Sequence, residues 1–381
     1  MSQDTSDIEH RIAKVPLPVP LIRRMDEAVV AERGGFRTRA ELMREAIENL
    51  LNELEFPDAP NEPHQSSSAE ALEPLKTPSV SNGRTSFIED LVSTVPSWER
   101  DELTLADIAG TALRSPADRP RLIVNGQAQT SDQPLLGLHN RDYVSLWAAQ
   151  RLARYTTDGP LPFQDYLRRL TAAAWYFGAQ LQDLEVREQK RGFTVLLPTN
   201  TAKQPSAERG FQNFAVGTVG RRGDDHGLAA TGPLFAWGMI QVLDADLLVG
   251  LTEAGWDLLG SLEGLSLDLP HPPELMERFL SHLAHHAPAD RWGFDHVVRI
   301  IDDGPDRETL VASFTDGHPE WTASTASSVA QGYVARAREW GLIEPKLVES
   351  RYWLTDTGRN WRRTLANAQS GNLHDNGDTS T

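Results

Sequence analysis

The segment that most constrains the fold lies near the start of the chain, between residues 11 and 54, where the sequence predicts one strand and two helices. The apolar residues that alternate along the strand are Ala13, Val15 and Leu17. The second helix begins at a Thr38–Glu41 capping box. It carries a wide apolar stripe, made of Leu42, Met43, Ala46, Ile47, Leu50, Leu51 and Leu54. Because about 45 residues are too few to bury such a stripe alone, the segment is expected to fold as an interlocked dimer with paired strands.

This segment resembles the ribbon-helix-helix family, of the MetJ, Arc and CopG type. The resemblance lies in the strand ending VPLP at residues 15–18, in the helix that contains Leu21 and Met25-Asp26, and in GFRTRAELMREAI at residues 35–47. It covers about 45 residues and implies a homodimer that binds double-stranded DNA. In that binding mode the paired strands lie in the major groove and their exposed side chains contact base edges.

The resemblance assigns the DNA contacts to two places. The strand supplies the side chains that face the bases, which by position are Arg11, Ile12, Lys14 and Pro16. The start of the second helix supplies a phosphate clamp, formed by Thr38 and Arg39. Pro16 offers no hydrogen bond and Ile12 only an apolar contact, so direct base readout depends on Lys14 and Arg11. An amphipathic dimerisation module that does not bind DNA is the alternative interpretation.

The distribution of charge favours a DNA contact confined to this end of the chain. The protein has a net charge of −17, which by itself argues against nucleic-acid binding. Residues 10–44, however, contain eight Lys and Arg against four Asp and Glu. A basic head on an acidic body can approach DNA with one end.

The rest of the chain is predicted to form a separate, larger body. Residues 57–85 are rich in Pro, Ser, Asn and Glu, which predicts a flexible linker after the head domain at residues 1–56. The body is expected to divide into 86–270 and 271–368, followed by a disordered tail at 369–381. The predicted fold class is mainly α with small β elements, a ribbon-helix-helix domain preceding an α+β body.

Composition and motifs exclude several classes of function. The chain has no cysteine, which rules out disulfides, thiolate catalysis and sulfur-ligated zinc, and which fits a cytoplasmic protein. It has no apolar run of about 18 residues that would predict a membrane span. It also lacks a phosphate-binding glycine loop, a GxSxG elbow and a paired-carboxylate motif, so neither an enzyme activity nor a cofactor is predicted.

One internal repeat is visible in the second half of the chain. WGMI at residues 237–240 precedes LTEAG at 251–255, and WGLI at 340–343 precedes LTDTG at 354–358. The spacing from Trp to Leu is 14 residues in both copies, which lie 103 residues apart. Each copy resembles the closing part of a winged helix. It has a helix ending in Gly, a strand, a turn and an LTxxG whose Thr caps the next helix. In a winged helix the recognition helix comes directly before this element.

The two copies differ at the position of that recognition helix. In the second copy SVAQGYVARAREWG has helical spacing and is expected to expose Gln331, Arg336 and Arg338, which are possible second DNA contacts. In the first copy the same position holds RRGDDHGLAATGPLFAW, which is interrupted by glycines and acidic, so that copy is predicted to be a scaffold. Winged helices also serve as protein-interaction folds, so a protein partner of the body is the alternative to DNA.

A histidine cluster is predicted on a single helix at residues 274–292. His282, His285 and His286 include one pair spaced by four residues, which could share a metal ion. The segment lacks the glutamate of a zinc protease helix, and no further ligand is evident. A solvated or partner-facing cluster is therefore the preferred interpretation, with no metal site.

Three further patterns have ordinary structural interpretations. Asn140 or Asp142 is expected to cap the helix that follows it. The stretches 192–199 and 211–219 are expected to form a pair of strands. The Asp pair at 302–303, flanked by glycine, is expected to lie in a turn.

Together these features predict a cytoplasmic, dimeric, sequence-specific DNA-binding regulator of transcription. Its partners would be double-stranded DNA and a second copy of itself, with no membrane. A plasmid partition or copy-control protein is one alternative, and an antitoxin-like protein whose body binds a protein partner is another. An enzyme with an appended DNA-binding head is the third.

Overall fold

The computed structural model describes residues 94–97, 100, 122–124, 134–135, 141–188, 197–201, 204–222, 227–243 and 247–374. They form a mainly helical structure with small antiparallel sheets, as the sequence predicts. The predicted ribbon-helix-helix segment and linker lie outside the described residues. No helix in the described part of the chain combines the length and the apolar content that crossing a membrane requires.

The described residues contain ten helices and five strands. The helices are α1 (Tyr143–Tyr155), α2 (Phe163–Glu188), α3 (Gln204–Ala215), α4 (Pro233–Ala236), α5 (Glu253–Ser261), α6 (Pro273–His286), α7 (Pro288–Ile301), α8 (Arg307–Gly317), α9 (Ala323–Glu339) and α10 (Asp356–His374). The strands are β1 (Leu161–Pro162), β2 (Thr218–Arg222), β3 (Gly227–Thr231), β4 (Ile240–Leu243) and β5 (Leu248–Leu251).

The first repeat runs from α1 to α5 and contains a three-stranded antiparallel sheet of order β1-β5-β4. Leu161 of β1 pairs with Val249 of β5, and Leu251 of β5 pairs with Ile240 of β4. Strands β4 and β5 form a hairpin, called here the first hairpin (residues 240–251). A separate two-stranded sheet, β2 with β3, is inserted between α3 and α4.

The second repeat runs from α7 to α10 and follows the same order with a reduced sheet. Its hairpin, called here the second hairpin (residues 343–354), is closed by a bridge between Ile343 and Leu354. The Tyr352 N–H donates to the Pro305 carbonyl at 3.0 Å, in the loop between α7 and α8. That loop takes the place of β1. Each repeat therefore runs from a helix through a short extended segment and further helices to a hairpin and a closing helix.

The two LTxxG segments make the same hydrogen bonds. The Thr252 hydroxyl accepts from the Gly255 N–H at 3.0 Å and donates to the Gly238 carbonyl at 2.5 Å. Thr355 makes both bonds with the same lengths, to the glycine three residues ahead and the glycine 14 residues behind. Gly238 and Gly341 have φ of 66° and 68°, a conformation that glycine adopts without strain and that ends the preceding helix. The sequence prediction that the threonine of each copy caps the next helix is confirmed.

The predicted strand pair at 192–199 and 211–219 is wrong in its second half. Residues 211–215 belong to α3, where Phe211 and Ala215 are buried at helical spacing. Strand β2 begins only at Thr218, and it pairs with β3. Residues 192–196 lie outside the described part.

Two predicted helix boundaries also differ from the structure. The segment 274–292 is not one helix, because α6 ends at His286 and α7 begins at Pro288. A proline is tolerated in the first turn of a helix but not in its interior. Helix α10 continues to His374, so the expected start of a disordered tail at residue 369 is too early. The predicted turn at residues 302–303 is confirmed.

One hydrophobic core extends through both repeats. Phe279 of α6 contacts the corresponding tryptophan of each repeat: its ring packs edge-on against Trp237 at 5.3 Å and stacks on Trp340 at 4.6 Å. The boundary expected at residue 270 therefore does not separate two cores.

Candidate nucleic-acid interface and buried junction

A buried cluster of charged side chains joins the two repeats. Its four members, called here the junction, are Asp142, Asp290, Arg336 and Glu339. Each is at most 2% exposed. The first aspartate directly precedes α1 and the second lies in the first turn of α7, whereas the arginine and the glutamate lie in α9. The junction therefore connects the beginning of each repeat with the last helix before the second hairpin.

Arg336 binds an aspartate from each repeat. Its Nε donates to Asp142 Oδ1 at 2.6 Å. Its two terminal nitrogens donate to the two carboxylate oxygens of Asp290, at 2.8 and 2.7 Å. A fork of this geometry gives strong charge-assisted hydrogen bonds. The guanidinium also lies 4.6 Å from the ring centre of Phe294, a distance at which a cation and an aromatic ring attract each other.

The tryptophans of the two repeats make reciprocal contacts. Trp237 of the first repeat donates its indole N–H to Asp290 of the second at 2.9 Å. Trp340 of the second repeat donates to Asp142 of the first at 2.8 Å. Each repeat thus supplies the hydrogen-bond acceptor that the buried indole of the other requires.

Glu339 caps helix α1 from a distant part of the chain. Its carboxylate accepts the backbone N–H of Asp142 and that of Tyr143, the latter at 3.1 Å. Arg141 Nε donates to it at 3.2 Å, and His271 Nε2 lies 3.1 Å away. The sequence prediction placed the cap at Asn140 or Asp142. Asp142 does occupy the N-cap position, but its side chain makes no capping bond because it binds the junction instead; Asn140 lies outside the described residues.

Two carboxyl groups of the junction have shifted pKa values: that of Asp142 is raised and that of Glu339 is lowered. Burial raises the pKa of Asp142 to about 7; Arg336 opposes this rise, and Glu339 and Asp290 add to it. Burial also raises the pKa of Glu339, but the bonds from His271 and Arg141 and the backbone N–H groups outweigh it and hold the pKa below the usual value.

The expectation that Arg336 is exposed is wrong. Its side chain is 0% exposed, since it lies on the buried stripe of α9 that also contains Tyr333 and Trp340. Arg336 is therefore not available to a DNA contact. Gln331 and Arg338 are half-buried: the Gln331 amide donates to the Ser327 carbonyl at 3.1 Å and Arg338 Nε donates to a backbone carbonyl of the second hairpin at 3.1 Å.

The outward face of α9 is small, polar and almost free of charge. Its exposed or half-exposed side chains are Ala323, Ser324, Thr325, Ser327, Ser328, Gln331, Ala335 and Arg338. The one acidic residue in α9 is Glu339, which is buried in the junction. A duplex could therefore approach this helix without meeting a carboxylate from it, although the protein as a whole is strongly acidic.

The two hairpins have equal length but different chemistry. The second hairpin exposes Lys346 and Arg351 close to its tip, together with the apolar side chains Leu347 (46% exposed) and Val348 (55% exposed). The first hairpin has no Lys or Arg in residues 240–251 and has aspartates at positions 244 and 246. The second hairpin also contains Glu344 and Glu349, so its net charge is zero, whereas that of the first hairpin is −2. The second repeat therefore combines a polar helix face with a hairpin that offers two exposed cations, which the first hairpin lacks.

The other predicted sites are only partly covered by the described residues. The predicted DNA contacts of the head lie outside them; these are Arg11, Ile12, Lys14, Pro16, Thr38 and Arg39. The histidines of α6 do not form one solvated cluster, because His282 Nε2 lies 2.8 Å from the Trp237 carbonyl and burial lowers the pKa of His282 to about 4. Only His285 is exposed. Where the structure describes the chain, no three His, Asp or Glu side chains are placed to hold a metal ion.

Sequence reasoning missed the junction, although the sequence contains one trace of it. Arg336 falls on the apolar stripe of α9, three residues after Tyr333 and four before Trp340, a spacing that places it on the buried side of the helix. A buried arginine requires carboxylate partners. Those partners are 194 and 46 residues away in sequence, so no local pattern identifies them.

No family model, curated protein or solved structure matches the chain.

Proposed function

We propose that this protein is a dimeric, sequence-specific DNA-binding regulator. A ribbon-helix-helix head would bind the operator, and the second repeat would supply a further DNA contact through α9 and the second hairpin. The observation that supports this most directly is an outward helix face without carboxylates beside a hairpin that exposes Lys346 and Arg351, on a protein of net charge −17. Helix α9 and its hairpin would correspond to the recognition helix and wing of a winged helix.

The difference between the repeats supports one DNA contact in the body rather than two. In the first repeat the place of α9 is taken by the β2–β3 pair and the four-residue helix α4. A helix of one turn cannot present several side chains to a groove, and the adjacent hairpin segment is acidic. The first repeat is proposed to be the scaffold on which the second is held.

The head would supply the sequence preference. Lys14 and Arg11 on the paired strands are proposed to contact bases, with Ile12 and Pro16 packing alongside. Arg39 and Thr38 are proposed to hold a phosphate at the start of the second helix. The net charge of +4 on residues 10–44 supports this arrangement, because the rest of the chain carries a net negative charge.

The proposal can be tested by selecting binding sites from a random DNA pool with the full-length protein and measuring affinity by fluorescence anisotropy. Lys14→Ala is expected to weaken binding by about 1–3 kcal/mol and to relax the sequence preference. Arg39→Ala is expected to weaken all sequences alike and to reduce the salt slope by about one.

The contact of the body has its own test in the same assay. A Lys346→Ala/Arg351→Ala double variant is expected to reduce the salt slope by about two if both side chains hold phosphates. Arg168→Ala is the matched control, because this arginine is exposed on α2 of the first repeat and should leave binding unchanged. Failure to select any preferred site would contradict sequence-specific binding, and an unchanged slope in the double variant would contradict the role of the second hairpin.

A second candidate function is recognition of a protein partner by the body. The second hairpin exposes Leu347, Val348 and Trp353, the last at 39%, and three large apolar side chains on one hairpin favour a protein surface. An antitoxin-like regulator would use the head for its own operator and this surface for its partner. A Leu347→Ser/Val348→Ser variant that keeps DNA affinity but loses a copurifying protein would favour this function.

A further inference from the structure

Most polar side chains on the outward face of α9 have no fixed means of telling one base from another. Ser324 and Ser328 are exposed, and a hydroxyl group rotates to donate or to accept, so it fits several base edges. The Thr325 hydroxyl bonds with that of Thr322, the cap of the helix, at 2.8 Å. Arg338 is turned toward the second hairpin, since its Nε donates to a backbone carbonyl there. A side chain with one fixed hydrogen-bonding role would discriminate between bases more strongly.

Gln331 is such a side chain, because two hydrogen bonds fix the orientation of its amide. Its Nε2 donates to the Ser327 carbonyl oxygen at 3.1 Å and to Ser327 Oγ at 3.0 Å. A carbonyl oxygen can only accept, so the end of the amide that faces Ser327 is the nitrogen. The amide on this half-buried side chain is therefore turned with its donor toward the helix and its acceptor away from Ser327.

The acceptor end of this amide is unoccupied in the described part of the protein. Gln331 Oε1 accepts no hydrogen bond from any described residue. It is also not one of the buried, unpaired polar atoms of these residues, so it reaches solvent. The side chain thus offers a ligand at this face an acceptor and not a donor.

We propose that Gln331 is a specificity-determining residue for the contact between the body and DNA, and that its Oε1 accepts a hydrogen bond from a base amino group in the major groove. The amino groups exposed there are N6 of adenine and N4 of cytosine. Thymine and guanine present the oxygens O4 and O6 instead, which would repel Oε1. The inference rests on the proposed function, because it takes α9 as the helix that enters the groove.

Ser327 is the positioning residue in this arrangement. Its carbonyl and hydroxyl hold the amide nitrogen, which could otherwise turn round and donate to guanine or thymine. A side chain that is held in place before binding also loses less conformational entropy on binding. Ser327→Ala removes one of the two bonds and is therefore expected to broaden the base preference to include guanine and thymine.

Selection of binding sites from a random DNA pool with the full-length protein tests the preference. The wild type is expected to enrich adenine or cytosine on one strand at a position that Gln331→Met no longer selects, while the rest of the site stays the same. Methionine has a similar length and no amide, so it removes the hydrogen bond and keeps the bulk. Ser328→Ala, on the same face, is the matched control and should select the wild-type site.

A second measurement removes the amino group from the DNA instead of the amide from the protein. At the selected position an unsubstituted purine replaces adenine, or 2-pyrimidinone replaces cytosine, and affinity is measured by fluorescence anisotropy. Loss of the amino group is expected to weaken wild-type binding by about threefold to tenfold, the range of one hydrogen bond. It should have no further effect on Gln331→Met, and this coupling between the two changes identifies a direct contact.

The possible results separate the role of Gln331 from the function on which it rests. A wild type that selects no preferred site would contradict sequence-specific binding and the role of Gln331 with it. If the wild type selects a site and Gln331→Met selects the same one, only the role of Gln331 is overturned. The same holds if loss of the base amino group weakens both proteins equally.

Discussion

At the scale of single residues, Arg336 carries the contact between the repeats because it is the cation shared by two buried aspartates. Burying ions costs free energy, and the pair repays this cost only while its geometry is complete. Removing the arginine would leave Asp142 and Asp290 buried without a cation between them. The effect of a substitution is therefore expected to exceed that of losing an ordinary surface pair.

Arg336→Ala is expected to lower the free energy of unfolding by about 3–5 kcal/mol, measured by urea denaturation. Arg336→Lys should recover only part of this, because an ammonium group cannot form the fork to Asp290 and reach Asp142 as well. Arg338→Ala, in the same helix but half-exposed, is the control and should cost about 1 kcal/mol or less. A loss of under about 1 kcal/mol in Arg336→Ala would contradict the assigned role.

The lowered pKa of His282 predicts that the folded protein loses stability as the pH falls. Burial lowers its pKa from 6.5 to about 4, so the unfolded chain binds the proton more tightly than the folded one. Stability should fall as the pH drops from about 6.5 toward 4, by up to about 3 kcal/mol. His282→Gln keeps a donor for the Trp237 carbonyl and should flatten this slope in melting curves. The exposed neighbour provides the control, His285→Gln, whose slope should match the wild type.

At the scale of elements, the LTxxG turn is fixed by close contact between glycine and backbone. A Cβ on Gly255 would lie 2.1 Å from the Met239 carbonyl oxygen, and one on Gly358 would lie 2.0 Å from that of Leu342. Neither oxygen can move without breaking the hairpin. The glycine three residues after each threonine is therefore a packing requirement, which explains why the motif recurs with the same spacing.

Gly255→Ala and Gly358→Ala are each expected to destabilise the protein by about 1–3 kcal/mol, measured by thermal or urea unfolding. Gly332→Ala in α9 is the contrasting control, because a Cβ there meets nothing within 4 Å. It should stabilise the helix by about 0.5–1 kcal/mol. Equal effects at all three glycines would show that the close contacts do not determine stability.

The elements predicted correctly are those that depend on neighbours in sequence. Helix α1 follows directly after the residues expected to precede it as caps, and both threonine caps follow from contacts within 14 residues. The error at residues 211–215 arose because a short apolar stretch fits a strand or a helix equally well. The junction could not be predicted, since the contacts of Asp142 with Arg336 and Trp340 span 194 and 198 residues.

At the scale of the whole molecule, the repeats share one core and should unfold together. Phe279 contacts Trp237 and Trp340, and each of these tryptophans needs an aspartate from the other repeat. Splitting the chain between residues 270 and 271 would expose these aromatic rings and leave buried indole donors unpaired. Neither half contains the aspartate that accepts the hydrogen bond of its own buried tryptophan.

Fragments 86–270 and 271–368 are each expected to lack a cooperative melting transition when expressed alone, and to regain one when coexpressed. Calorimetry on the intact fragment 86–368 should show a single transition whose calorimetric and van't Hoff enthalpies agree. Two separate transitions, or a stable fold of either half alone, would contradict a common core.

Full-length protein is expected to bind DNA with tandem sites more tightly and more cooperatively than residues 1–56. The acidic surface weakens non-specific binding, so occupancy must come from specific and mutually reinforcing contacts. Gel-shift titration of both proteins on one-site and two-site DNA measures the difference. Equal affinity and cooperativity for the head alone would assign the body a role away from DNA.

The reciprocal tryptophan–aspartate contacts have a consequence for how the two copies can differ. Two identical subunits meeting in this way would have to display every surface twice. Here the two partners are parts of one chain, so they are always present in equal number. The position that corresponds to Arg336 in the first repeat holds Pro233, so a single cation binds both aspartates. The chain is in effect a covalent heterodimer, in which one hairpin has two aspartates and no cation while the other has Lys346 and Arg351. Two identical subunits could not differ in this way, because both would carry the same hairpin.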